Sequence, residues 1–200
     1  MTSDADPPAP DPFDEHETAS EAEAGPEAVT RPEGVGFPVV GIGASAGGLE
    51  AIREMLAGAP PDANLAYVVI QHLDPNHESL LAELLSRHTD LSVRQASGGE
   101  KIQAGNVYII PPGAGLSVSE GVLDLTEFAQ PRGLRRPIDD FFESLAIDQG
   151  RFAACVILSG TGADGSVGLR AIKEHGGLCI VQEPKSAKYD GMPTSAQNTG

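Results

Sequence analysis

Tryptophan is absent from these 200 residues, cysteine occurs twice and only 4% of the side chains are aromatic. Beside an ordinary apolar content, with 24 glycines and 16 prolines, this fits a compact α/β protein with many turns. Cys155 and Cys179 lie in apolar runs with no C-x-x-C and no metal-ligand spacing, so they read as buried reduced thiols. No run of about 18 apolar residues occurs, which excludes a membrane-spanning helix. The N-terminus has no basic stretch followed by an apolar core, so no secretory signal is expected. Together with the reduced thiols, this points to the cytoplasm.

Basic residues are scarce as well. Thirteen Lys and Arg stand against 29 Asp and Glu, for a net charge of −16. Residues 1–34 hold ten acidic side chains against Arg31 alone, so this stretch carries −9 and the remainder −7. Phosphate-backbone binding needs clustered Lys and Arg, so nucleic acid is not an expected partner. Residues 1–35 are rich in Pro, Ala, Asp and Glu and cannot bury enough apolar surface to offset ordering entropy. They read as a disordered acidic arm. Residues 36–200 are then one globular domain large enough for a sizeable core.

Within that domain, Val39-Val40-Gly41-Ile42-Gly43 reads as a β-branched strand running into small residues. Helical spacing starts at once, with Leu49, Ile52 and Leu56 on one face. Ser45 falls at the turn, inside Gly43-Ala44-Ser45-Ala46-Gly47, a G-x-S-x-G pattern. In a nucleophile elbow such glycines let the backbone turn tightly while the hydroxyl stands clear of the sheet. The amide after the serine and the helix N-terminus then face any developing negative charge. The same residues also fit a dinucleotide-binding turn or a plain tight turn. A dinucleotide fold offers an acid at the end of its second strand, whereas here Leu65–Ile70 runs into Gln71-His72. A histidine there suits a general base.

The remaining chain alternates strands and helices. The first helix ends near Gly58, ahead of Pro60-Pro61. A second strand covers 65–71, a helix 78–87 and a short strand 107–110. Residues 116–125 form two alternating runs around Glu120-Gly121, a β-hairpin. A loop over 127–136 leads to a helix over 137–148, and a buried strand covers 153–159. The Gly-rich turn 160–165 precedes a helix over 166–175, and 178–181 is a last strand. The expected architecture is a doubly wound, mostly parallel α/β sheet with helices on both faces and a small hairpin. Ser45, His72 and Asp164 each follow a strand's C-terminal end, where such sheets place their sites.

A serine hydroxyl needs a base to take its proton, and a carboxylate behind that histidine fixes its tautomer. Ser45, His72 and Asp164 supply this set. His77 is the nearest rival base, while His88 and His175 sit at helix ends. Asp74, Asp139 and Asp140 read as caps or solvated helix faces. An ordinary α/β-hydrolase has its acid before its histidine, and here the order is Ser, His, Asp. This is a different serine-hydrolase arrangement.

Gly41–Gly48, Gln71-His72 and Leu158-Ser159-Gly160-Thr161-Gly162-Ala163-Asp164-Gly165 together resemble the catalytic domain of the chemotaxis protein-glutamate methylesterase family, CheB. Pro111-Pro112-Gly113, Arg136-Pro137-Ile138-Asp139 and Gly191-Met192-Pro193 add to the resemblance, which runs from about residue 37 to the end. It implies hydrolysis of glutamate methyl esters on chemoreceptors, with methanol released, and often deamidation of receptor glutamines. Ser45 matches the nucleophile, His72 the base and Asp164 the orienting carboxylate. The amides of Ala46 and Thr161 match the oxyanion hole, although Thr161 stands where the family often has Met. No cofactor and no metal is implied.

Two departures shape the expectations. The family commonly carries a phosphorylatable receiver domain upstream, and the acidic arm is too short to be one. The sequence also stops at Gly200, where the family continues into a further helix, as an N-terminal piece of a fusion with a methyltransferase and sensory modules would. The alternative function is then an esterase-like docking or regulatory module with little turnover.

Overall fold

The computed structural model describes residue 1 and residues 35–72, 80–128, 131 and 133–199. The acidic stretch 2–34, and with it the arm reading, lies outside the described residues, as do Asp74 and His77.

Strand β1 (Val39–Ala44) is followed by helix α1 (Gly48–Ala57), and β2 (Ala66–Gln71) returns parallel to β1 with Val39 opposite Ala66. A short helix α2 (Leu81–Ser86) leads to β3 (Ser92–Gln95), β4 (Glu100–Lys101) and β5 (Asn106–Ile109). The hairpin consists of β6 (Gly115–Ser119) and β7 (Val122–Thr126), with Glu120 and Gly121 at φ 51° and 71° in its turn. Positive φ at both central positions is the twist that a two-residue hairpin turn requires. Helix α3 (Pro137–Gln149), β8 (Ala153–Ile157), α4 (Ser166–Glu174), β9 (Leu178–Val181) and α5 (Gly191–Asn198) complete the described chain.

The main sheet is parallel throughout, in the order β3-β5-β2-β1-β8-β9, and β4-β7-β6 form a small antiparallel sheet. The expected α/β architecture is therefore present. From β1 the chain goes to β2 and then to β3 and β5, with β5 inserted between β2 and the edge strand β3, before it crosses to β8 and β9 on the other side. The point of reversal lies between β1 and β8, where the carboxyl ends of strands open a crevice.

Two cores sandwich the sheet. Ile42, Ile52, Leu56, Val69 and Leu85 fill the side covered by α1 and α2. Phe141, Phe142, Leu145, Ile138 and Leu169 fill the side covered by α3 and α4. The close seat of α3 depends on Gly41 and Gly43: a Cβ there would come within 2.7 Å of Phe142 and 2.5 Å of Ile138. That approach sets the start of α3 beside the end of β1. Cys155 and Cys179 are free and face each other in the β8–β9 register. Cys155 is buried; its thiol is pushed up by its hydrogen bond to Cys179 and then by burial. No helix of the described residues is long and apolar enough to cross a membrane.

Sequence and structure differ in detail. The edge strand β3 and the two-residue β4 lack the apolar runs that mark strands, and their exposed or half-exposed polar residues carry no such signal. Helix α5, which begins at the Gly191-Met192-Pro193 segment, is likewise not among the expected elements.

Candidate active site

The turn after β1 is held by the segment that follows β8. Ser45 donates its amide to the Ser159 carbonyl at 3.1 Å, and Gly48 donates to the Ser45 carbonyl at 3.0 Å. Gly47 precedes α1 at φ 71°, and a Cβ on it would meet Lys188, Ser159 and Tyr189 within about 3 Å. Gly47 is therefore required by the turn itself. Gly43 has a different reason from the one its place in the G-x-S-x-G pattern suggests: it is extended strand, and its missing Cβ makes room for Ile138.

His72 follows β2 at the strand's carboxyl end and Asp164 lies in the turn between β8 and α4. The structure brings both to Ser45. Ser45 Oγ is 3.4 Å from His72 Nδ1, and His72 Nε2 is 2.7 Å from Asp164 Oδ2. The ring is thus turned so that Nδ1 faces the serine and Nε2 the carboxylate, the reverse of the familiar serine-protease arrangement. The chemistry survives the reversal. With its proton on Nε2 donated to Asp164, a neutral imidazole presents Nδ1 as acceptor to the serine hydroxyl.

Asp164 is itself fixed by a helix end. Its Oδ2 accepts from the Ile138 amide at 3.2 Å and its Oδ1 from the Asp139 amide at 3.0 Å, at the first turn of α3. Those amides have no partner within their own helix and carry the positive end of its dipole. The carboxylate side chain is only 8% exposed, whereas the imidazole it faces is 37% exposed. A well-shielded carboxylate thus stands behind an imidazole that meets solvent.

The segment after β8 runs against the serine. A Cβ on Gly160 would lie 2.1 Å from Met192 Sδ and 3.0 Å from Ser45 Cβ, so a larger residue would have to displace Met192. Gly160 donates to Tyr189 O at 3.0 Å, Met192 donates to Gly160 O at 2.9 Å, and Ser195 Oγ donates to Gly162 O at 3.2 Å. Helix α5 therefore braces the backbone that carries Thr161. Ala46, directly after the serine, has its carbonyl held by the Ser159 hydroxyl at 3.0 Å. Thr161 and Ala46 are both exposed. A cleft of about 1110 Å³ opens on the His72–Asp164 side, lined in part by Pro111, Phe128, Arg135, Arg136 and Thr161. The Arg135 guanidinium lies 4.4 Å over the Phe128 ring.

Of the rival histidines, His88 and His175 do not converge on the serine. His175 ends α4 with its Nδ1 2.8 Å from the Ala171 carbonyl, and the His88 amide caps α2 through the Leu85 carbonyl. Two residues of the site are not evident from the sequence pattern. Ser159 is buried and joins three segments through its hydroxyl and carbonyl. Asp139 is 3% exposed and accepts from the Gly168 amide, a cap and not a solvated helix face. Its spacing to Phe142 and Ala146 is the helical core period, and an acid at such a position is the signal that marks it.

Comparisons with known proteins identify a family. The family model described as CheB methylesterase matches residues 40–200. A relative from Anaeromyxobacter dehalogenans, "Protein-glutamate methylesterase/protein-glutamine glutaminase 2", is 37% identical over 81% of this chain and 48% of its own length. One of the same name from Pseudomonas aeruginosa is 36% identical over 81% of this chain and 47% of its own. The crystal structure of the Thermotoga maritima CheB methylesterase catalytic domain superposes with a TM-score of 0.75 at 29% identity, covering 82% of this chain and 89% of that one. The chain spans about half the length of the curated relatives it matches.

Proposed function

The chain belongs to the CheB methylesterase family, and on that premise we propose that it is a serine esterase hydrolysing glutamate methyl esters on chemoreceptors through Ser45, His72 and Asp164. Deamidation of receptor glutamines by the same residues is the second half of the proposal, in line with the double name of its relatives. The reaction is placed in the cytoplasm, on the cytoplasmic domain of the receptor. The observation that carries this reading is the continuous contact from Ser45 Oγ through the imidazole to Asp164.

In the proposed cycle His72 Nδ1 takes the proton of Ser45 as Oγ attacks the ester carbonyl carbon. Asp164 stabilises the imidazolium through Nε2–H. The carbonyl oxygen becomes an oxyanion facing the amides of Ala46 and Thr161, which are the proposed donors. The carbon–methoxy bond breaks, His72 returns its proton to the leaving oxygen, and methanol departs from a glutamyl ester on Ser45. Water, deprotonated by His72, then attacks that acyl carbon; the bond to Oγ breaks, His72 returns its proton to Ser45, and the glutamate is freed. Mass spectrometry of protein quenched during turnover tests it: the reading requires a glutamyl adduct on Ser45, and turnover with no adduct there refutes it.

A further inference from the structure

Helices α3 and α4 begin side by side, and each holds the other's N-terminus. Asp164, before α4, accepts from the first amides of α3. Asp139, in the first turn of α3, accepts in return from the Gly168 amide of α4 at 2.9 Å. The crossing is close because Gly168 has no side chain; a Cβ there would lie 2.5 Å from Phe142 Cβ and 2.9 Å from Asp139 O.

The Gly165 and Val167 amides of the same helix start also favour the charged form of Asp139, so the carboxylate caps α4, yet one of its oxygens is left over. Asp139 Oδ2 is buried with no hydrogen-bond partner; it forms an ion pair with the largely exposed Arg136 guanidinium at 3.8 Å, beyond hydrogen-bond reach. Leaving an ionisable oxygen in that state costs stability. Burial first, and then the neighbouring Asp164, push the Asp139 carboxyl up to about 6. The charged groups facing it are Arg136 from the turn before α3 and Asp164 from the turn before α4, with His72 beyond Asp164. Asp140 and Glu143 share its helix, and Cys155 is the ionisable group on the β8 side of the same core.

We propose that Asp139 is a positioning residue of the site, a second buried carboxylate that orients Asp164 through the paired helix ends and supports the imidazolium on His72 with its charge. The proposal rests on the reading of Ser45 as the nucleophile. Above its midpoint two anions stand behind the imidazole; below it, one. Proton transfer from Ser45 is favoured by the pair.

Labelling of Ser45 by a fluorophosphonate reads the activation of the hydroxyl without needing the receptor. The full chain, Asp139→Asn, His72→Ala and Ser45→Ala are compared between about pH 5 and pH 8. Asparagine keeps an oxygen for the Gly168 amide. The expected result is labelling about tenfold slower at neutral pH in Asp139→Asn, with the steep acid limb of the wild type reduced to a one-proton fall. Labelling that tracks the wild type at every pH overturns the proposal. Carbon-13 spectra of the wild-type Asp139 carboxyl provide a readout that does not depend on the variant folding. A midpoint near 6 that coincides with an inflection in labelling supports the role; one in the ordinary carboxylate range overturns it. Wild-type labelling no faster than in His72→Ala refutes the underlying triad instead.

Discussion

The Ser159 hydroxyl donates to the Ala46 carbonyl 3.0 Å away and accepts from the Tyr189 amide at the same distance, tying the end of β8 to the turn that carries Ser45. Ser159→Ala removes the hydrogen-bond partner of both the Ala46 carbonyl and the Tyr189 amide. The expected cost is about 1–3 kcal/mol of stability. Because Ala46 is a proposed oxyanion donor, kcat is expected to fall while KM changes little. Urea unfolding and steady-state kinetics on the same preparation check both halves.

Asp164→Asn separates shape from charge. The amide is nearly isosteric, but it can no longer act as an ion to the imidazole or accept with both oxygens from α3. Turnover is expected to drop by about three to four orders of magnitude, as loss of the orienting acid does in serine hydrolases. Helix α3 also loses part of its cap, at about 1–2 kcal/mol. Kinetics alongside thermal melting distinguish the two losses.

Gly43→Ala tests why this glycine is there. A Cβ would sit 2.5 Å from Ile138 Cγ2, within the close-packed core. Overpacking of this kind costs about 1–3 kcal/mol. Ile138 also donates its amide to Asp164, so displacement of α3 is expected to lower esterase activity beyond the loss of folded protein. Activity normalised to the folded fraction decides the point.

Asp139 gives a stability signature with a defined sign. Its folded-state midpoint is raised from 3.8 to about 6, so the neutral form is favoured by the fold. Its contribution is fully present below the unfolded midpoint and is lost as pH rises through about 6. The stability of the wild type minus that of Asp139→Asn should therefore decline between about pH 4 and pH 7. Denaturant midpoints across that range measure the difference, and a difference independent of pH contradicts the shift.

The parts legible in the sequence are those whose cause is local. Buried parallel strands are apolar on both faces, so β1, β2, β5 and β8 declare themselves, and Ser45, His72 and Asp164 follow from counting past their ends. Strand β3 escapes because its pairing is secured by tertiary contacts. Arg94 donates to Asn106 Oδ1 at 2.8 Å and to Tyr108 Oη at 3.0 Å, and no apolar run is needed. The bond from Ser159 to Ala46 spans 113 positions, and the reciprocal hold of Asp139 and Asp164 spans α3 and β8. Neither leaves a local pattern. The imidazole's orientation is likewise a product of the assembled fold.

The most direct test of the esterase is methanol release from methylated receptor membranes, with wild type compared to Ser45→Ala and His72→Ala. The wild type is expected to release methanol, and each variant to fall by about three or more orders of magnitude with its circular dichroism unchanged. Release that persists in Ser45→Ala, or none from the wild type, contradicts the account.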